Sequence, residues 1–583
     1  MANLPSRVPN VLGDTSLDRF DVVIIGSGPG GGSAVRVLAD AGLTVCILEA
    51  GNNYFLGLDD PRPGFPIPLF SSDELKLSTR GLVSQQARVE PRTWRESAAQ
   101  GKRTYVGEVN NLPKAVGGGQ IHADGKTPRF NDFDFRMKSE LGDMDGADWA
   151  DWPLTYDELE PFYAAAEREV GVSGRAGANP FESPRSSDYP LPAGPDMYVG
   201  TLISEGARKL GYTPFPYPGV NLSRAYDGRP ACNDCGLCSF YGCPTNAKGT
   251  PAVTTIRKAL LTGRVQLRYN CTVTRIVTNA AGNEVTGLEY LDPAGQPASV
   301  RGDRYILAAG GIESARLCLL SDLAGPGVGN SSDRVGRCLM YHFETLGIGI
   351  YRQSLHGERG RSVASGMADF RGVPNDPARP LGGVIEFGTN SEKISEAKNY
   401  VHSLFARGRF LKKLLRASPF GAHIGVMTMQ GEDAPQLTNR VDLDPDVKDI
   451  HGQPAARITY QPHAFELSAS KHYGARMIDI HGAAGAQFAF VAPRYDGNVT
   501  PTTRHVMGAM RMGSDPRTSV VDGLHKFHDL GNLWCIDGSV LPTGSGYNPT
   551  LTIEALSLRA AAAMVDPVRP EAVVARLAAT RRP

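Results

Sequence analysis

Residues 21–51 read DVVIIGSGPGGGSAVRVLADAGLTVCILEAG. Val22 to Ile25 is a continuous apolar run of strand type, it breaks into Gly26-x-Gly28-x-x-Gly31, and Ala34 to Ala39 then carries a helical pattern. A second apolar strand, Thr44 to Leu48, ends on Glu49. Strand, glycine turn, helix, strand and acid, in that order, are the parts of a dinucleotide-binding βαβ unit. Each part has a physical task. Gly26 permits the tight turn, Gly28 lets the backbone approach a pyrophosphate, Gly31 lets the helix pack on the strand, and Glu49 can accept from a ribose hydroxyl. A glycine turn alone would read as structural; the context around this one makes it a nucleotide site.

At 583 residues the chain is too long for one core, and its length predicts two to four domains. Hydrophobic content of 41% and charged content of 21% are ordinary for a globular protein with a large core. A net charge of +0 and a pI near 7.2 give no whole-chain footprint for nucleic acid or an anionic membrane, so neutral small molecules are the expected partners. The first twenty residues carry neither an apolar signal core nor a twin arginine, and no run of 18 apolar residues occurs. A cytoplasmic protein without a membrane span is expected; periplasmic location by export with a signal-bearing partner is the alternative.

Further along, Leu112 to Phe130 contains Gly117, Gly118 and Gly119 ahead of His122, a backbone able to lie against a planar ligand with an imidazole beside it. Thr155 and Glu158 form a capping box that starts an amphipathic helix, and a shorter helix is expected between Met197 and Leu210. Val265 to Asn270, Thr272 to Val277 and Val285 to Leu291 read as strands. Arg304 to Leu320, RYILAAGGIESARLCLL, repeats the opening logic, a buried strand running into Ala309, Gly310 and Gly311 and then a helix. Runs at Leu346–Tyr351, Gly383–Phe387, Ile424–Gln430 and Ala456–Tyr460 predict an antiparallel sheet that covers the nucleotide site. His342, His423 and Gln430 within this region read as satisfied core residues.

The last constellation is RHVMGAMRMG (504–513) with LWCIDGSVLPTGSGYNPTLTIEALSLRAA (533–561). Together with the opening fingerprint, GGGQIH, WPLTYDELEPFY and ILAAGGIESARL, it resembles the glucose-methanol-choline (GMC) family of FAD oxidoreductases over about residues 19–565, most closely the pyranose oxidase and sugar dehydrogenase branch. The resemblance implies an α/β fold, α+β overall, with a Rossmann-like FAD-binding domain over 17–125, 220–335 and 501–570. An antiparallel-sheet substrate-binding domain would take 126–219 and 336–500. His505 stands at the family's catalytic histidine and Asn548 at its partner. Asp537 matches the acid near the ribityl-pyrophosphate, Asn548, Pro549 and Thr550 pass close to the isoalloxazine, and Val273 matches the residue whose backbone meets the adenine. His122 aligns with a histidine that is bonded to the flavin in some members, but Gln120 and Ile121 replace the Ser-Thr of that pattern, so non-covalent FAD is expected.

The implied activity is oxidation of a secondary hydroxyl, at C3 or C2, of a pyranose or glycoside. The alternatives are a non-sugar alcohol such as a sterol or polyol, or a non-catalytic flavin subunit, for which His505 would have no use. A neutral imidazole suits the hydroxyl proton, and an amide can hold the oxygen without competing for it. Five of the nine cysteines are scattered in apolar surroundings. The rest form Cys232-x2-Cys235-x2-Cys238-x4-Cys243-Pro244, one residue longer than a ferredoxin run. Two disulfides, a zinc knuckle and four reduced thiols are open readings of the same spacing. Some sugar dehydrogenases of the family hold a [3Fe-4S] cluster here, which implies Cys232, Cys238 and Cys243 as ligands with Cys235 as a fourth or spare. Electrons would then pass to a companion subunit or cytochrome, and otherwise directly to oxygen or a quinone.

Overall fold

The computed structural model describes residues 17–62, 64–70, 89–101, 105–107, 112–239, 241–357, 360–388, 407–417, 420–492 and 503–579. The opening stretch folds as β1 (Arg19–Ile25), α1 (Pro29–Asp40) and β2 (Val45–Glu49). β3 (Pro297–Leu307) lies on the other side of β1 and runs into α2 (Gly311–Leu320). All three strands are parallel, with Ile25 paired to both Leu48 and Leu307. Val265–Tyr269 extends the sheet beyond β2, and Leu533–Cys535 pairs with the end of β3. Helices cover such a sheet on its faces, which is why β2 is buried at every position and its sequence is continuously apolar rather than alternating. The outer part of β3 leaves the parallel sheet and pairs antiparallel with Val285–Leu291, which pairs in turn with Thr272–Thr278.

A second, antiparallel sheet contains β4 (Phe343–Ile350), β5 (Ile385–Gly388), β6 (Ile424–Gly431) and β7 (Phe488–Ala492) in the spatial order β7-β4-β6-β5. Val363–Met367 and Phe215–Pro216 complete it at the β5 edge. Burial alternates along β4 and β6, the period-two signature of a sheet with one packed face. That face meets α3 (Ala464–Ala483), where Met427 and Met429 share a core with Met477 and Ile480.

The strand expected at Ala456–Tyr460 forms as Pro454–Thr459 but belongs to a separate four-stranded sheet. It pairs with Arg440–Lys448 and, in parallel, with Arg92–Arg95, to which Tyr105–Gly107 adds. Arg92–Arg95 reads as irregular in the sequence because RTWR has no apolar pattern. It is buried because its charges are met: Arg92 pairs with Glu313 at 2.9 Å and Arg95 Nε donates to Thr459 Oγ1 at 2.9 Å.

The chain returns to the first sheet through α4 (Thr550–Val565), which packs on α1 and donates Ser557 Oγ to the Gly30 carbonyl at 2.5 Å. The helix Tyr156–Val170, started by the Thr155–Glu158 capping box, packs on α4 and joins it through Tyr163 and Thr552, 2.7 Å apart. Among the described residues no helix is long and apolar enough to cross a membrane.

Candidate active site

The two glycine turns lie at the carboxyl ends of neighbouring parallel strands, and they touch. Gly26 has φ +95°, and a Cβ there would stand 2.3 Å from the Ala308 carbonyl oxygen. The third glycine run closes over α1 from above: Gly118, at φ +59°, would place a Cβ 2.5 Å from Gly28 Cα. Backbone therefore surrounds the first turn of α1, whose N–H groups are unsatisfied by the helix itself. Glu49 sits at the end of β2, where Oε2 accepts from the Ser27 amide (3.0 Å) and hydroxyl (2.6 Å) and Oε1 from the Gly51 amide (2.8 Å). Burial outweighs these bonds and raises its pKa. Asp537 braces the second turn, accepting from the Gly310 amide at 2.9 Å and Ser314 Oγ at 2.5 Å with one oxygen and from Ser539 with the other.

One cavity of about 850 Å³ joins these turns to the second sheet. Gly26, Gly28, Glu49 and Gly118 line one part, with Val273, Ala309 and Gly310 beside them. His122, His505, Asp537 and the Asn548-Pro549-Thr550 start of α4 also face it. Gly31 and Gly117 lie behind the wall instead: Gly31 packs on the Gly26 backbone, and the Gly117 amide donates to Ser27 Oγ at 3.1 Å. His122 is buried with Nδ1 2.8 Å from the Gly119 carbonyl, and desolvation pulls its pKa down to about 3.

His505 and Asn548, 43 positions apart, meet with His505 Nε2 and Asn548 Nδ2 at 3.4 Å. Behind His505 stands His342, its Nδ1 2.9 Å from His505 Nδ1, while His342 Nε2 lies 3.2 Å from the Gly544 carbonyl. Desolvation holds both rings neutral near pH 7, His342 at about 4 and His505 well below 6.5, the latter pushed further by His342 and Lys126. Each neutral ring carries one proton, and a carbonyl can only accept. His342 therefore keeps its proton on Nε2 for Gly544 and offers a lone pair at Nδ1. His505 must place its own proton on Nδ1 to meet it, which leaves Nε2 bare toward Asn548. The Asn548 amide is oriented to match, because its Oδ1 accepts from Tyr217 OH at 2.8 Å. A hydrogen-bond chain running from Gly544 to Tyr217 thus assigns the His505 proton to Nδ1 and the lone pair to Nε2.

Next to this pair runs a buried charged row. Glu386 binds Lys126, accepts from Gln430 Nε2 at 3.2 Å, and is raised in pKa by burial against the opposing pull of Lys126. Lys126 also pairs with Asp124 at 2.9 Å, and Asp124 accepts from Ser239 Oγ. His342, Gln430, Tyr217, Glu386 and Lys126 are the site residues that sequence reasoning missed. His342 and Gln430 were legible only as polar groups in apolar runs, a pattern shared with ordinary core residues. Asp124 and Lys126 follow the glycine run within GGGQIHADGK, the one local signal available. His423 stays outside the site, with Nδ1 3.0 Å from the Tyr351 carbonyl.

The cysteine segment touches the cavity through Ser239. Its thiols face separate partners: Cys232 Sγ accepts from the Asp234 amide at 3.4 Å, Cys238 Sγ from Asn221 Nδ2 at 3.2 Å, and Cys243 Sγ lies 3.5 Å from Thr245 Oγ1. Among the described residues no three His, Cys, Asp or Glu side chains are grouped to hold a metal ion, and none of the nine cysteines, Cys235 included, is joined in a disulfide. The expected ligand set of Cys232, Cys238 and Cys243 is not assembled among the described residues.

A Rossmann-like sheet joined to an antiparallel sheet across one cavity, with a buried histidine and asparagine meeting at the junction, defines a dinucleotide-dependent oxidoreductase. Family models described as GMC oxidoreductase match residues 199–344 and 435–557. The chain is 30% identical to the 2-methyl-1,2-propanediol dehydrogenase of Mycolicibacterium austroafricanum, over 94% of this chain and 95% of that one. It is 32% identical to the fructose dehydrogenase large subunit of Gluconobacter japonicus, over 78% and 81%. The pyridoxine 4-oxidase structure from Mesorbium loti shares the fold, with a TM-score of 0.61 at 16% identity over 96% of this chain and all of that one. The chain belongs to the GMC oxidoreductase family, enzymes that use FAD to oxidise CH–OH groups. The residues fit that cofactor: Gly26, Gly28 and Gly118 bring the backbone together around the start of α1 as a pyrophosphate cradle needs, and a Cβ at Gly26 or Gly118 would strike the neighbouring backbone and force that cradle apart.

Proposed function

We propose that the protein oxidises a secondary hydroxyl, at C3 or C2, of a pyranose sugar or glycoside to the ketone, with His505 as the base. The observation that carries this reading is the 3.4 Å contact between His505 Nε2 and the Asn548 amide nitrogen inside the cavity, behind which the His342–Gly544 pair assigns the His505 proton to Nδ1. A substrate hydroxyl placed between them donates its proton to His505 Nε2 and accepts from Asn548 Nδ2. The amide then steadies the oxygen as its proton leaves, without taking that proton itself. FAD, when bound, supplies the acceptor for the hydride that leaves the carbinol carbon. Because His505 is held neutral well below pH 6.5, it is in its accepting form throughout the near-neutral range.

The relation to a fructose dehydrogenase large subunit supports a sugar substrate. The relation to a 2-methyl-1,2-propanediol dehydrogenase favours a non-sugar alcohol as the second reading. FAD is read as non-covalently held, since Gln120 and Ile121 precede His122. Its electrons pass to oxygen or to an external acceptor. The test is anaerobic stopped-flow bleaching of the flavin by glucose, methyl glucoside and simple diols. His505→Ala is expected to keep its FAD and lose about 10² to 10⁴ in the bleaching rate. Bleaching at the wild-type rate would overturn the assignment of the base.

A further inference from the structure

The cavity face of the antiparallel sheet changes character along its length. β4 and β6 pair antiparallel, so residues directly opposite each other share a face. Four successive rows face the cavity. Glu344 pairs with Gln430, Leu346 with Thr428, Ile348 with Val426, and Ile350 with Ile424. β7 extends the last two rows on the other side of β4, pairing Phe490 with Ile348 and Phe488 with Ile350. The intervening residues, Gly347, Gly349, Met427 and Met429 among them, are buried on the opposite face. Two rows are therefore wholly apolar and two carry polar groups.

The polar end abuts the reacting groups. His342 immediately precedes β4 and holds His505; Gln430 and Glu386 meet through a 3.2 Å hydrogen bond; and Glu386 binds Lys126 on the His122 segment. The apolar end leads outward to Phe488, whose side lies 60% exposed and whose ring packs on Phe490 at 5.6 Å. Successive rows are about 7 Å apart, so the apolar strip begins roughly two rows, about 14 Å, from the Glu344–Gln430 end.

We infer that the substrate is an amphipathic alcohol, whose hydroxylated ring sits at the Gln430–Glu386 end while an attached apolar group lies along Ile348, Val426, Phe490, Ile350 and Ile424. The chemical class is a glycoside with an alkyl or aryl aglycone rather than a free sugar. This rests on the sugar-oxidising reading of His505 and Asn548 for its polar half only. A single six-membered ring with its hydroxyls spans about one row, and a second sugar laid on the strip would leave its hydroxyls facing side chains that cannot hydrogen-bond. Such unmet polar groups cost more than the contact returns. An apolar aglycone instead removes its own surface and that of the strip from water at once.

The experiment compares methyl and octyl β-D-glucopyranoside, the latter below its micelle concentration, as reductants of the holoenzyme's flavin, alongside a series of 2-alkanols. Each buried CH₂ contributes a factor of about four, so burial of even two or three of the added carbons lowers KM for octyl glucoside by at least about tenfold at similar kcat. Val426→Asn and Ile348→Asn place an amide in the strip and are expected to bring the octyl-to-methyl ratio of kcat/KM toward one. Because the readout is a ratio within one enzyme preparation, partial loss of folded protein does not affect it. Equal kcat/KM for the two glucosides in the wild type overturns the inference and leaves the sugar-oxidising reading standing. If neither glucoside bleaches the flavin but 2-alkanols do, faster with each added carbon, the apolar strip stands and the sugar reading falls. A ratio unchanged by both substitutions places the aglycone elsewhere and overturns the assignment of the strip.

Discussion

Replacing His342, which touches no substrate in this reading, is expected to slow the reaction in the same way as a change in His505, though by less. In His342→Leu the His505 Nδ1–H loses the acceptor 2.9 Å away, and the Gly544 carbonyl loses its donor. A buried donor left unmet costs about 1–3 kcal/mol, which shifts the His505 proton toward Nε2. At about 1.4 kcal/mol per factor of ten, the population with a bare Nε2 falls by roughly 5- to 140-fold. The ceiling is the roughly 10² to 10⁴ expected when the base is removed. The tautomer ratio of a neutral ring does not depend on pH, so the loss is the same at pH 6.5 and pH 8. His342→Asn, whose amide oxygen can accept from His505, should recover part of the rate. The assay is single-turnover anaerobic flavin bleaching by saturating substrate, at equal FAD content. Wild-type bleaching in His342→Leu, or a deficit that vanishes at high pH, would refute the tautomer argument.

Two further outcomes follow from the packing. Gly118→Ala puts a methyl 2.5 Å from Gly28 Cα at a positive φ, so the variant is expected to purify with little or no FAD, read as the ratio of flavin to protein absorbance. Glu554, buried on α4, has its pKa raised by desolvation from 4.5 to about 8, against a smaller pull from Gln120. Between those two pH values the folded chain holds a proton that the unfolded chain has released. Stability is therefore lost as pH rises across that window, by about 1.4 kcal/mol per pH unit for this group, and levels off above pH 8. In Glu554→Gln this contribution to the slope disappears, so thermal melts of the holoenzyme should show the variant gaining on the wild type between pH 5 and pH 8. A constant difference across that range contradicts the assigned protonation.

What the sequence disclosed and what it hid divide along a physical line. The βαβ unit, the second glycine turn and the capping box were readable because each is a local solution: its residues are close in sequence, and the demands on φ or on helix start are met within a few positions. Three of the six strands of the second sheet, β4, β5 and β6, were readable from their runs, but Val363–Met367, Phe215–Pro216 and β7 were not, nor was the pairing of Pro454–Thr459 with Arg92–Arg95. A buried strand of RTWR is held by partners such as Glu313, Asp444 and Thr459, which lie hundreds of positions away.

The site divides the same way. His505 and Asn548 stood out within motifs, whereas His342 and Tyr217 are ordinary in their local sequence and gain meaning only through one hydrogen bond each to that pair. Yet those two bonds decide which nitrogen of His505 can accept a proton. Had His342 Nε2 faced a donor rather than the Gly544 carbonyl, His342 would carry its proton on Nδ1 and His505 would be driven to the opposite tautomer, with Nε2–H pointing at the Asn548 amide. The same two residues at the same distance would then oppose each other as two donors, and the hydroxyl between them would have no base. A carbonyl on the loop that carries Asn548 thus sets the tautomer of a histidine 39 positions before it, so the proposed base depends on the loop's path as much as on the imidazole.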